Sequence, residues 1–487
     1  MVSNGEFVPP PQTATERWIE RATLAEASDA ADRLGVDRRR FLQGVGGLAV
    51  MLSMVNLACA GSSPRAAKGG PASTGVGGTF KVPEPTDLAA CHQAFAAVGQ
   101  EFIIDVHTHH VMPHGPWRQT SPTAVDIIRP LIPPGCTEAD PFVCVDRIAY
   151  VEDLLLGSDT AVAILSDVPN SGPDNAPLPF GDNVGTHEFA ASLSGGGQPR
   201  VLVQSVIAPN FGDLSSRLDG MTQQAEQAEL SSFKTYTAWG PGGIGYQLDQ
   251  DIGLRVIDHA RSLGVRTLCA HKGLRLEGLN EAFNHPRDLV AAAVHFPDVN
   301  FVVYHSAFDS NSTEGPYDPA HATVGINSLL KALDDYHVAP NSNVWCELGT
   351  TWRTVMSSPT EAAHALGKLL VRVGQDRVMW GTDAIWYGSP QPQIMAFRAF
   401  EITPAFQTRY GYPALTDDLK HKVLGVNASN LLGLDLTAAV CAINTDDLDK
   451  AKAAYTSLRL GGEVPQPWAA RAPVTRREVL GWLTSQL

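Results

Sequence analysis

Residues 102–109 read Phe-Ile-Ile-Asp-Val-His-Thr-His. A short apolar run without helical spacing predicts a strand buried on both faces, as in a parallel sheet. Side chains alternate along a strand, so His107 and His109 fall on one face, directed into the protein. They stand about 6–7 Å apart along the strand, close enough for both imidazoles to converge on one cation. One such pair is weak by itself, and its meaning depends on the rest of the chain.

Apolar runs of the same kind recur: Phe102–His107, Ala161–Asp167, Val201–Ala208, Ser232–Tyr236, Arg266–His271, Asn300–His305, Asn343–Leu348 and Arg377–Thr382. Between them lie segments with helical periodicity, among them Ser216–Glu229, Ile252–Leu263, Pro286–Phe296 and Glu361–Val373. These are long enough to cross over a parallel sheet. Eight such units predict a (β/α)8 TIM barrel, an α/β fold; a doubly wound open sheet usually has fewer strands. Two connections are long, Val111–Cys144 and Pro169–His187. Both follow strand ends on the face where barrels carry their sites.

The other titratable residues repeat the pattern of the first strand. Lys234, His271, His305 and Asp383 each close an apolar run. Burying unpaired charges there would cost several kcal/mol, so a shared partner is the economical explanation. His107, His109, Lys234, His271, His305 and Asp383 are therefore the candidate ligands of a divalent metal.

This constellation resembles that of the metal-dependent amidohydrolases, from about Phe102 to Leu434. His271-Lys272-Gly273 and Tyr304-His305-Ser306 are similar to the amidohydrolase-related subfamily, which also contains decarboxylases. The resemblance implies that His107, His109 and Asp383 hold one ion. It implies that His271 and His305 hold a second in two-metal members. In one-metal members His271 completes the site and His305 acts on substrate. Ser-Phe-Lys234-Thr-Tyr-Thr-Ala-Trp looks like the motif of hydantoinases and dihydroorotases, where a carboxylated lysine bridges two metals; the alternative is a structural lysine paired with an acid such as Glu347. The resemblance further implies a metal-activated water, Asp383 as proton carrier, and an amide, cyclic amide, lactone or ester as substrate. Zinc suits the N/O ligand set, and manganese, iron or cobalt also fit. A decarboxylating lyase and a non-catalytic barrel are the competing readings. His110, His114, Trp239, Trp352 and Trp386 are weaker candidates for the substrate pocket, and the facing of Glu347 is left open.

The N-terminus carries Asp37-Arg-Arg-Arg-Phe-Leu-Gln43, which resembles a twin-arginine export motif, followed by an apolar stretch from Gly44 to Ala58 and an Ala58-Cys59-Ala60 cleavage pattern. The expected organisation is a leader over 1–60, a Gly/Ser/Pro-rich linker over 61–79, the barrel domain over 80–442 and a helical extension over 443–487. Within the extension, Thr475 and Glu478 are spaced as a capping box. The expected location is exported, in the periplasm, the cell envelope or outside the cell, with lipoprotein anchoring at Cys59 as the lesser reading and the export machinery as partner of the leader. An exported chain could close Cys136 and Cys144 into a disulfide, whereas Cys269 and Cys346 read as core residues. Lys plus Arg number 36 against 51 Asp plus Glu, a net charge of −15. That balance argues against nucleic acid as a partner. A small-molecule substrate is expected, and a homo-oligomer is compatible with the composition.

Overall fold

The computed structural model describes residues 13–59, 76–98, 101–133, 136–444 and 446–460. A short strand, β1 (Gly78–Phe80), is followed by eight parallel strands: β2 (Ile103–Thr108), β3 (Thr160–Leu165), β4 (Val201–Ile207), β5 (Leu230–Thr235), β6 (Thr267–His271), β7 (Asn300–Tyr304), β8 (Val344–Glu347) and β9 (Val378–Met379). They neighbour one another in chain order. A last strand, β10 (Phe400–Ile402), pairs antiparallel with β1. The eight runs of the sequence all become barrel strands, and their crossover helices include Leu214–Gln227, Asp251–Ser262, Arg287–His295 and Pro359–Arg372.

Two apolar layers follow from strand alternation. Ile104, Val162, Ile164, Cys269, Val302, Tyr304, Trp345 and Met379 form one cluster, joined by Ala439 and Ile443 of the helix Leu436–Ile443. Their sequence neighbours Ile103, Leu268, Phe301, Val303, Val344 and Val378 belong to a second cluster with the surrounding helices. The first cluster fills the barrel interior. Cys269 and Cys346 are buried, and Cys136 and Cys144 form the disulfide.

Simple alternation fails at one point. Ile104 and Val106 both face the interior cluster, which would turn His107 and His109 outward. Against β3, however, Asp105 pairs with Ala163 and Thr108 with Leu165, so β2 spends one more residue than its partner. This β-bulge reverses the parity and re-aims the histidine pair inward. The buried Asp105 supports the bulge, since its Oδ1 accepts the His107 amide at 3.2 Å.

The same carboxylate sits at the barrel seam. Asp105 also accepts the Thr382 amide at 3.0 Å and the Thr382 hydroxyl at 2.5 Å. Around it the first and last barrel strands close through Val106 N to Trp380 O, 3.1 Å, and Asp383 N to His107 O, 2.8 Å. A parallel bridge joins Thr108 to Ala384. β9 is shorter than the run Arg377–Thr382 because the Trp380 amide turns away to Val423 O.

The N-terminal segment packs on this body. Helix Ala14–Leu34 begins with a Thr13–Glu16 capping box and packs on helix Val45–Leu57. Leu48, Met51, Leu52 and Val55 of the second helix enter the cluster that surrounds the barrel. Asn56 bonds both backbone groups of Phe80, Nδ2 to the carbonyl at 2.8 Å and Oδ1 to the amide at 3.0 Å. No single described helix is long and apolar enough to cross a membrane. Of the stretch read as linker, Gly78 and Thr79 already lie in β1. Residues 61–75 and the Thr475–Glu478 capping box lie outside the described residues. The described part of the C-terminal extension includes the helix Asp447–Leu460.

Asp105→Ala leaves two buried amides and a hydroxyl without their acceptor. Unfolding free energy should fall by at least about 3 kcal/mol in chemical denaturation, with Asp105→Asn losing less. Equal stability of Asp105→Ala and wild type would show that the seam closes without the carboxylate.

Candidate metal centre

The six residues picked out by their strand-end positions meet at one end of the barrel. His107 Nε2 and His109 Nε2 lie 2.9 Å apart. Asp383 Oδ1 is 3.5 Å from the first and 3.4 Å from the second. Lys234 Nζ approaches the same two nitrogens at 3.0 and 3.4 Å and the Ser166 hydroxyl at 3.3 Å. Beside them, His271 Nδ1 and His305 Nε2 are 3.1 Å apart. The His107 and His305 rings are 4.9 Å apart between centroids.

Each imidazole is held from behind by an acceptor. His109 Nδ1 faces Ser166 O at 2.8 Å, His305 Nδ1 faces Gly349 O at 2.9 Å, and His271 Nε2 faces Leu274 O at 2.7 Å. His107 Nδ1 faces the Glu347 carboxylate at 3.1 Å. An N–H directed at each acceptor leaves the other nitrogen as a lone pair facing the centre, the arrangement typical of metal-ligating histidines. Glu347 also accepts the amides of His305 and Gly349, both at 2.5 Å. It therefore faces inward and positions two of the imidazoles, which settles the facing that strand parity left open.

Protonation does not relieve these facing lone pairs. Burial holds His107, His109 and His305 well below the ordinary histidine range and pushes His271 down to about 3. The Lys234 N–H groups can serve His107 and His109, whereas His271 Nδ1 and His305 Nε2 have only each other among the described residues. Nitrogen–nitrogen separations near 3 Å are what two imidazoles show when both bind one ion at about 2.0–2.1 Å. The donors thus fit a divalent cation, with His107, His109 and Asp383 as one set within reach of each other.

Burial also lowers Lys234 to about 8 and raises Asp383 to about 6 and Glu347 to about 8. Among the described residues no carboxylate lies within ion-pair distance of Lys234. Its amine instead stands over the rings of Tyr304, at 4.4 Å, and Tyr236, at 5.0 Å. The pairing with Glu347 considered from sequence is therefore not formed. Asp383 Oδ2 accepts the Thr350 hydroxyl at 2.6 Å, which leaves Oδ1 to the histidine pair.

Backbone strain concentrates here. His305, Ser306, Ala307, Thr350 and Asp383 all have φ between 52° and 61°. Left-handed conformations are costly for such residues, for β-branched Thr350 above all, and they cluster where a site over-determines the chain.

The centre lies on the floor of a cavity. Its walls include Ile128 and Leu131 from the first long connection, Pro169 from the second, Leu276, Trp386 and Tyr387. Trp386 stacks on His109, ring centroids 5.5 Å apart. The other weak candidates fall elsewhere. His110 is buried with Nε2 on Thr186 Oγ1, and His114 points to solvent. Trp352 packs in the core on Phe397 and Phe400. Trp239 bonds Asn170 O and packs near Phe211. Asp105, Ser166 and Thr350 went unnoticed in the sequence. Glu347 carried the same strand-end signal as the ligands.

A family model described as amidohydrolase matches residues 271–434, from β6 to the end of the barrel. Among solved structures, the chain is similar to an uncharacterized TIM-barrel protein from Bordetella bronchiseptica, with 11% identity, covering 68% of this chain and 98% of that chain, at a TM-score of 0.45. It is similar to 5-carboxyvanillate decarboxylase from Sphingomonas paucimobilis, with 12% identity over 68% and 99% of the two chains and a TM-score of 0.41. A 2,6-dihydroxybenzoate decarboxylase from Rhizobium is 12% identical over 69% and 99%, with a TM-score of 0.40. The search of curated proteins found no match.

Glu347→Gln keeps the size of the side chain but replaces one acceptor oxygen by an N–H donor, so His107 Nδ1 or the Gly349 amide loses its acceptor. Metal affinity measured by chelator competition should drop about 10–100-fold. Unchanged affinity would mean that Glu347 does not position His107.

Proposed function

We propose that the protein is a metal-dependent hydrolase that cleaves an amide, cyclic amide, lactone or ester bond in a small molecule. One observation carries this reading. Four buried imidazoles and the Asp383 carboxylate converge at the floor of one cavity, with His107 Nε2 and His109 Nε2 2.9 Å apart. The amidohydrolase match over residues 271–434 supports it.

His107, His109 and Asp383 would hold a divalent cation, which would supply Lewis acidity toward the substrate carbonyl and toward water. Zinc suits these ligands, and manganese, iron or cobalt would fit them too. The chain's own residues do the rest. Thr350 fixes Asp383 so that Oδ1 faces the reacting centre. Asp383 would take a proton from the attacking water and return it to the leaving group. His271 and His305 would hold a second ion; with a single ion bound, His271 would complete its ligand set and His305 would face the substrate. The apolar walls Ile128, Leu131, Leu276 and Trp386 would favour an apolar substrate body.

Lys234 chooses between one ion and two. A neutral amine is the form that can add carbon dioxide, and a pKa near 8 makes that form accessible. As a carbamate, Lys234 would offer two anionic oxygens and help hold two ions. A lyase that decarboxylates its substrate on the same barrel is the second reading. It is favoured by the resemblance of His271-Lys272-Gly273 and Tyr304-His305-Ser306 to the subfamily that also contains decarboxylases. Export by the twin-arginine route belongs to the proposal on the strength of Asp37–Gln43 alone.

Purified protein should contain about one to two transition-metal ions per chain, and His107→Ala should lose most of them. A metal-free, folded and active wild type would refute the hydrolase reading. Lys234→Ala should lower occupancy from about two towards one and abolish activity, with partial rescue by millimolar short carboxylic acids. Unchanged stoichiometry without rescue would favour the one-ion lyase.

A further inference from the structure

Outside the barrel mouth, a second cleft of ≈ 270 Å³ opens between the connection after β3 and the helix Leu214–Gln227. Residues 167–170 form the wall between the two cavities. Val168 and Pro169 face the metal centre, while Asp167 and Asn170 line the cleft.

The chemistry of the cleft is distributed in three parts. Its inner end offers acceptors. Asp167 is 5% exposed and accepts Leu178 N and Asn170 Nδ2, both at 2.8 Å, and the Val168 amide, so its two carboxylate oxygens still keep a spare lone pair. Among the described residues no lysine or arginine lies within ion-pair distance of it. Burial raises it to about 7, outweighing its hydrogen bonds and the more distant charge of Lys234. Asn183, 2% exposed, also borders the cleft, and its Oδ1 has no hydrogen-bond partner. Arg217 supplies the positive charge. It donates to Phe211 O and Ser171 O and pairs with no carboxylate among the described residues. Leu178, Phe180, Ile207 and Met221 provide apolar wall.

From this juxtaposition we infer that the cleft is an accessory binding site for a free α-amino acid with an apolar side chain. The ligand's ammonium would lie on Asp167 and Asn183, its carboxylate on Arg217 and its side chain against the apolar wall. An ammonium pairs the isolated carboxylate, and a carboxylate suits the guanidinium fork. The inference does not depend on the reaction carried out at the metal centre.

Calorimetric titration of the full chain with leucine tests it, alongside the amine lacking the carboxylate (isoamylamine) and the acid lacking the amine (4-methylpentanoate). Leucine should bind saturably and at least tenfold tighter than either analogue. Folded Arg217→Gln should lose at least tenfold in leucine affinity, and His107→Ala should bind leucine as wild type does. Leucine binding no tighter than both analogues, or lost in His107→Ala and kept in Arg217→Gln, would overturn the assignment. If Arg217→Gln fails to fold, Asp167→Asn takes its place, with the same tenfold loss expected and retained affinity counting against the site.

Discussion

The candidate centre depends on one extra residue in β2 and on the carboxylate that supports it. Regular alternation from Ile104 and Val106 would have placed His107 and His109 among the outer helices. The bulge between Asp105 and Thr108 turns them inward, and Asp105 takes up the His107 amide. The same carboxylate ties β2 to Thr382 at the closure of the barrel, next to Asp383. Closing the sheet and aiming three of the candidate ligands are thus one structural event.

Around that event the chain concentrates groups that would be unfavourable in isolation. The lone pairs of neutral imidazoles face each other near 3 Å, a lysine amine stands among them, and five non-glycine residues adopt left-handed backbone conformations. Burial keeps the imidazoles unprotonated, so hydrogen ions do not relieve the repulsion. A cation shared by the lone pairs does relieve it. The strain and the burial are then understood together as the consequences of holding a ligand set in place before the ion binds.

Much of this was legible from residue order. Parallel strands covered on both faces read as apolar runs, so all eight appeared, and a polar residue at the end of such a run stood out. His271, Lys234 and Asp383 were found that way, and Glu347 could have been. Asp105 was hidden because its function is to hold backbone amides, which leaves no pattern in composition. The inward turn of His107 and His109 was expected, but for the wrong reason, since the bulge and not regular alternation produces it. Thr350 and Ser166 sit on connections, whose positions depend on tertiary contacts that no periodicity encodes. The β1–β10 pair was missed because its strands are three residues each, too short to show alternation. The helix Val45–Leu57 illustrates a different ambiguity. A buried core helix and the apolar part of a leader share composition, and only its packing places it on the barrel.

The claim at the centre of this account is that buried imidazoles hold a transition metal at the mouth of the barrel. X-ray absorption at the metal edge of the purified protein tests it most directly. The spectrum should show a first shell of nitrogen and oxygen at about 2.0–2.2 Å with the outer-shell scattering of at least two imidazoles. A first shell without imidazole, or a folded and active protein that carries no metal, would contradict it.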